Sequence, residues 1–188
     1  MVNLIIVNLP LKISGKSGVI LFIFSPVCTT NESITPALIW NMKILIKNQQ
    51  RHRSLNKTKI INTACNILTL LEQPPAELSI LFVGDRKMQQ LNSAYRGISK
   101  STDVLSFESQ IPVTREDGIK VLGDIVINVP CAERQAETSC LGFHDEISRL
   151  LIHGTLHLLG YEHENSTSDA RTMIKKEQEI FDAAKKMA

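Results

Sequence analysis

The stretch His153-Gly154-Thr155-Leu156-His157-Leu158-Leu159-Gly160-Tyr161-Glu162-His163 puts three of the chain's five histidines into eleven residues, and it constrains the fold more than any other feature. Apolar residues lead into it, and the pattern predicts a helix from His144 to Leu159. Residues i and i+4 lie one above the other on a helix, so His153 and His157 present their rings from consecutive turns. Gly160 is where such a helix stops, because glycine accepts the left-handed conformation that turns the chain. The turn brings His163 back toward the same point. Three neutral imidazoles leave a fourth tetrahedral position for water, which is the catalytic type of zinc site.

A single histidine is more often a core or surface residue than a ligand; three at i, i+4 and i+10 around a glycine are not explained that way. The spacing resembles the metzincin pattern HExxHxxGxxH. Here, however, Gly154 replaces the glutamate that serves as general base in metalloproteases. Glycine inside a helix costs about 1 kcal/mol relative to alanine. Two readings account for that cost: room for a substrate beside the ion, or close packing of the helix on a strand. Glu162 and Glu164 flank His163 and could orient a ligand or act as a base, with surface solvation the commoner role for Glu164.

Composition allows one domain with a sizeable core: 188 residues, 43% of them hydrophobic. The net charge of +2 hides a division. Residues 42–102 carry ten Lys or Arg against three acidic residues, whereas residues 103–188 carry nine against fifteen. The basic half suits a polyanion, since Lys and Arg displace counterions from phosphates, unless folding sets it against the acidic half. Cys28, Cys65, Cys131 and Cys140 form no CxxC pair and are too sparse for a disulfide scaffold; small buried hydrophobes in a reduced, cytoplasmic protein are expected. The run Val19-Ile20-Leu21-Phe22-Ile23-Phe24 is too short to span a bilayer, and Pro26 cuts it short without a small-residue cleavage site. Residues 1–41 read as an N-terminal extension, disordered or the product of a mis-assigned start, with the functional domain at 42–188.

Within that domain the periodicities alternate without a regular βαβ repeat. A first strand begins near Met42, a helix covers Ser54–Leu71 before Pro74-Pro75, and a strand covers Glu77–Val83. Asp85 is placed as the N-cap of a helix through Tyr95. Residues 97–102 make a loop, Val104–Phe107 and Val121–Val129 two strands, and 114–118 the turn between them. Further helices follow Pro130, span His144–Leu159, and run from Ser168 to the end. The fold class is α+β: a small mixed four-stranded sheet covered by about five helices, with the metal site at the C-terminal end of a core helix.

Several stretches together resemble the YbeY family of single-strand-specific, metal-dependent endoribonucleases. His153 to His163 is similar to its HGxLHLxGYDH signature, with Thr155 at a variable place and Glu162 where the family has Asp. Leu91-Asn92-Ser93-Ala94-Tyr95-Arg96-Gly97 with Thr102-Asp103-Val104-Leu105-Ser106-Phe107 resembles its LNxxYRxxxxxTDVLSF block, and Leu122–Ile127 its LGDIVI strand. Met173 and Glu177 also match. The likeness runs from about Met42 to the end and is highly specific. It implies one Zn2+ ion at His153, His157 and His163, a catalytic arginine at Arg96, and hydrolysis of phosphodiester bonds in single-stranded RNA. It further implies ribosomal RNA and the ribosomal small subunit as partners, with work at the 3′ end of small-subunit rRNA and in ribosome quality control; neither a membrane nor a nucleotide cofactor is expected. Arg96 has independent support, since its planar fork of donors suits a phosphate and it precedes a polar loop in the basic half. Asp103 reads either as an acceptor for a ligand histidine's N–H or as a turn residue, and Thr102 as a turn or cap. Two other functions remain open: a metal-dependent protease or amidase, and a non-catalytic ribosome assembly factor with a structural metal.

Overall fold

The computed structural model describes residues 42–109, 118–162 and 167–187. The expected extension at 1–41, most of the 114–118 turn, Cys28, His163 and Glu164 lie outside the described residues.

Among the described residues four strands and five helices form in the expected order. Strand β1 (Lys43–Asn48) leads to α1 (Lys57–Leu70), β2 (Ala76–Val83), α2 (Asp85–Arg96), β3 (Val104–Glu108) and β4 (Lys120–Asn128); α3 (Val129–Thr138), α4 (Phe143–Leu158) and α5 (Thr167–Met187) follow. The sheet order is β1-β2-β4-β3, with β1, β2 and β4 parallel and β3 antiparallel at the edge, so the architecture is the mixed α+β one expected.

Two boundaries differ from the sequence reading for local reasons. Helix α1 starts three residues later than Ser54, because the Asn56 side chain accepts the Lys59 amide at 3.0 Å and caps the helix there. Asp85 is not the cap of α2: that position is Gly84, and the Asp85 carboxylate instead accepts hydrogen bonds from Asn128 at 2.9 Å and Arg134 at 2.9 Å. Those partners hold its pKa below the ordinary carboxylate range, the Arg134 hydrogen bond chiefly. Cys140 also departs from expectation. It is exposed, at a positive φ of 54° just after α3, while Cys65 and Cys131 are half-buried; burial pushes the Cys65 thiol up to about 11.

Helix α4 is the centre of the domain. It touches β3, β4, α3, α5 and α1, and every residue from Leu150 to Leu158 is buried. A helix apolar all round belongs inside a core, and each buried Leu or Ile contributes about 1.5–3 kcal/mol by removal from water. Helix α5 instead buries one stripe, Met173, Ile180 and Ala184. No helix among the described residues is long and apolar enough to cross a membrane.

The opposite sheet face carries Asp124, paired across strands with Ser79 and Phe107. Burial raises its pKa; a hydrogen bond from Ser79 opposes the rise, and the charge of Glu77, itself ion-paired to Lys43 at 2.7 Å, adds to it. A carboxyl raised in the folded state opposes folding once it is ionised, and that penalty disappears below the unfolded pKa. Asp124→Asn is therefore expected to raise the melting temperature at pH 7, with the gain shrinking toward zero as the pH falls to about 3. Thermal denaturation across that range checks it.

Candidate metal centre

His153 and His157 sit on adjacent turns of α4, 4% and 0% exposed, with ring centroids 4.7 Å apart and planes 68° apart. The expected helical juxtaposition of the two imidazoles is therefore present. His153 Nδ1 meets the Glu177 carboxylate of α5. A carboxylate accepting the Nδ1–H fixes the tautomer and leaves Nε2 with its lone pair, the arrangement that ligand histidines adopt. The donor set thus fits a metal ion that prefers nitrogen. Among the described residues no cluster of three or more His, Cys, Asp or Glu forms around it, and His163, the expected third member, lies outside them.

The helix ends as its glycine predicts. Gly160 has φ +85°, its amide donates to the His157 carbonyl at 2.9 Å, and the Tyr161 amide donates to the Leu156 carbonyl at 3.0 Å. This paired closure satisfies two of the last carbonyls and ends the helix. Glu162 follows the turn, half-buried.

Gly154 settles on close packing. A Cβ built there would lie 2.9 Å from Ser106 Oγ and 3.1 Å from Ile125 side-chain carbons, and Ser106 Oγ donates to the Gly154 carbonyl at 3.1 Å. The position faces the sheet, so it neither opens room for substrate nor offers a place for the glutamate of a metalloprotease.

Edge strand β3 is contacted from both faces. Ser106 meets α4 on one face, while Phe107 on the other takes the Tyr95 ring edge-on, with centroids 5.0 Å apart. Arg96 follows Tyr95 as the last residue of α2, half-buried, with Gly97 at φ 69° closing the helix.

Asp103 proves to be a turn residue. Its Oδ1 accepts the Val104 amide at 2.9 Å and the Thr102 hydroxyl at 3.1 Å, and Oδ2 accepts from Gln135 at 2.8 Å. The acceptor for the His153 ring N–H is Glu177, whose role the sequence reading missed. Its signal was there: Met173, Glu177, Ile180 and Ala184 share one helical stripe, and a carboxylate within an apolar stripe needs a partner inside. One turn before His153, Arg149 donates to the fully buried Glu146 at 3.0 Å. These hydrogen bonds raise the Arg149 pKa against the effect of burial, and the charges of Glu146, Asp103 and Glu177 add to the rise. The other two histidines stand apart, His52 on Glu133 and His144 beside Thr63 at 3.2 Å.

These features define a class: a small α+β protein organised on a buried helix bearing paired imidazoles, with a carboxylate from the last helix behind them. The profile of the family described as endoribonuclease YbeY matches residues 45–185. The chain belongs to that family. It is 41% identical over 142 residues to endoribonuclease YbeY of Persephonella marina, covering 74% of this chain and 91% of that one. To the Syntrophus aciditrophicus protein of the same name it is 40% identical over 145 residues, covering 75% and 89%. A solution structure of a Thermotoga maritima protein shares the fold, with a TM-score of 0.52 at 24% identity over 75% of this chain and 88% of that one.

Gly154→Glu is expected to destabilise the domain by about 3 kcal/mol or more, since a charged chain would be driven into packed sheet. Urea denaturation measures the loss. A variant as stable as the parent that cleaves peptides would contradict this reading of the helix face.

Proposed function

We propose that this chain is a zinc-dependent endoribonuclease that cuts single-stranded RNA, with rRNA at the 3′ end of the small-subunit species as substrate and a part in ribosome quality control in the cytoplasm. Membership of an endoribonuclease family supports the reaction class. The observation that carries the metal is the buried His153–His157 pair with Glu177 behind His153.

In this reading His153, His157 and His163 hold the ion. A zinc ion bound there would supply Lewis acidity and activate water. The residues of the chain do the rest. Glu177 keeps the His153 ring in one tautomer and one orientation. Arg96, the last residue of α2, donates to phosphoryl oxygens through its planar fork and offsets the negative charge that builds there. Single strands are the fitting substrate, because unstacked nucleotides present a single backbone and free base edges that a duplex does not. A protease or amidase would need a base from elsewhere than residue 154, which faces the sheet.

Near-complete burial of both rings favours a second reading, in which the ion is structural and the protein acts as an assembly factor. The two diverge under chelation and mutation. His157→Ala is expected to abolish both metal content and cleavage of single-stranded RNA, and cleavage by the metal-free variant would contradict the proposal. A folded wild-type protein that binds zinc yet leaves RNA intact would favour the second reading. Glu177→Gln is expected to weaken metal binding by about 10- to 100-fold. Competition against a chromophoric chelator reads that shift directly, and unchanged affinity would remove Glu177 from its orienting role.

A further inference from the structure

The basic half of the chain is concentrated along one helix and its return loop. From Arg86 to Thr102 the sequence holds Arg86, Lys87, Arg96 and Lys100 and no Asp or Glu. Arg86, Lys87, Gln89, Gln90, Ser93 and Ala94 are all exposed, so the outer face of α2 is polar, cationic and free of carboxylates. The loop after α2 does not leave this face but runs back along it. Gln89 Nε2 donates to the Ser99 carbonyl at 3.0 Å, Asn92 Nδ2 to the Lys100 carbonyl at 2.6 Å, and Ser101 Oγ to Asp85 at 3.4 Å. Lys100, itself exposed, is thereby anchored beside the middle of the helix, between Arg96 at one end and Arg86 at the other.

At the N-terminal end the track opens into a cavity of about 550 Å³ outside the carboxyl ends of β1 and β2, lined by Gln49, Arg51, His52, Arg86, Lys87 and Gln90. Asp85, the one carboxylate on its wall, is already engaged by Arg134 and Asn128. Arg51, Arg86, Lys87 and Lys100 form no ion pair among the described residues, whereas Arg53 and His52 are matched by Glu133. Arg96 lies eleven positions along the helix from Asp85, a span of about 17 Å. A polyanion touching both ends must therefore be several units long.

We propose that the outer face of α2, its return loop and the Arg51–Arg86–Lys87 cavity form a track for the phosphate backbone of single-stranded RNA, leading away from Arg96 and the histidine pair. The track rests on the endoribonuclease reading and adds to it. Contacts made by Lys and Arg to phosphates lack sequence information but fix the register and direction of the strand, so the track decides which phosphodiester reaches Arg96. Amide and hydroxyl side chains between the cations suit sugar and phosphate oxygens.

The test is binding of a 2′-O-methylated, fluorescent single strand of about 12 nucleotides, within the range that such grooves occupy. Anisotropy is followed on the full chain over a salt series, and cleavage of the unmodified strand in parallel. Arg86→Ala/Lys87→Ala is expected to weaken binding about tenfold at low salt and to reduce the slope of log K against log salt by about 1.4. Lys175→Ala/Lys186→Ala removes the same charge from α5 and is expected to leave both unchanged. The inference is overturned if the two double variants bind alike, or if the wild type does not bind the strand. The outcomes separate from those of the nuclease reading: wild type that binds through α2 without cutting sinks only the nuclease, and wild type that cuts while the α2 variant binds normally sinks only the track.

Discussion

Everything at this site depends on how closely α4 lies on the sheet. With only a hydrogen at position 154, the helix comes near enough for the Ser106 hydroxyl to reach the Gly154 carbonyl and for Ile125 to fill the remaining space. The contact fixes the rotation of α4, and through it the direction in which His153 and His157 point. It also explains why a chain with metalloprotease spacing lacks the metalloprotease base. The glycine accepts a helix-propensity cost of about 1 kcal/mol and permits a packing distance that a Cβ would crowd against Ser106 and Ile125.

The histidine pair is then completed from elsewhere in the chain. Glu177 comes from the inward stripe of α5, and Arg149 and the buried Glu146 extend the charged chain along α4. A carboxylate set among Met173, Ile180 and Ala184 is costly to bury without a partner, and His153 is that partner. On the far side of β3, the Tyr95–Phe107 contact seats the end of α2 and with it Arg96.

Much of this was legible beforehand because it is local. Helical spacing placed α4, Gly160 marked its end, and apolar runs separated by turn residues located all four strands. Residues whose roles depend on distant partners were not legible in that way. Asp85 has the chemistry of an N-cap, but Asn128 and Arg134, more than forty residues on, draw its carboxylate elsewhere. Asp103 had the chemistry of a histidine acceptor and serves its own turn, whereas Glu177 does the accepting from the opposite end of the domain. The two readings of Gly154 could be separated only once Ser106 and Ile125 were in place. Cys140 followed the turn after α3 rather than the burial usual for its residue type.

The central claim is that these imidazoles are metal ligands oriented from behind. Zinc K-edge absorption of the full chain with one equivalent of zinc addresses it directly. The account predicts nitrogen scatterers at about 2.0–2.1 Å with the outer-shell pattern of three imidazoles and no sulfur. A shell of sulfur at about 2.3 Å, or an oxygen-only shell without imidazole scattering, would contradict it.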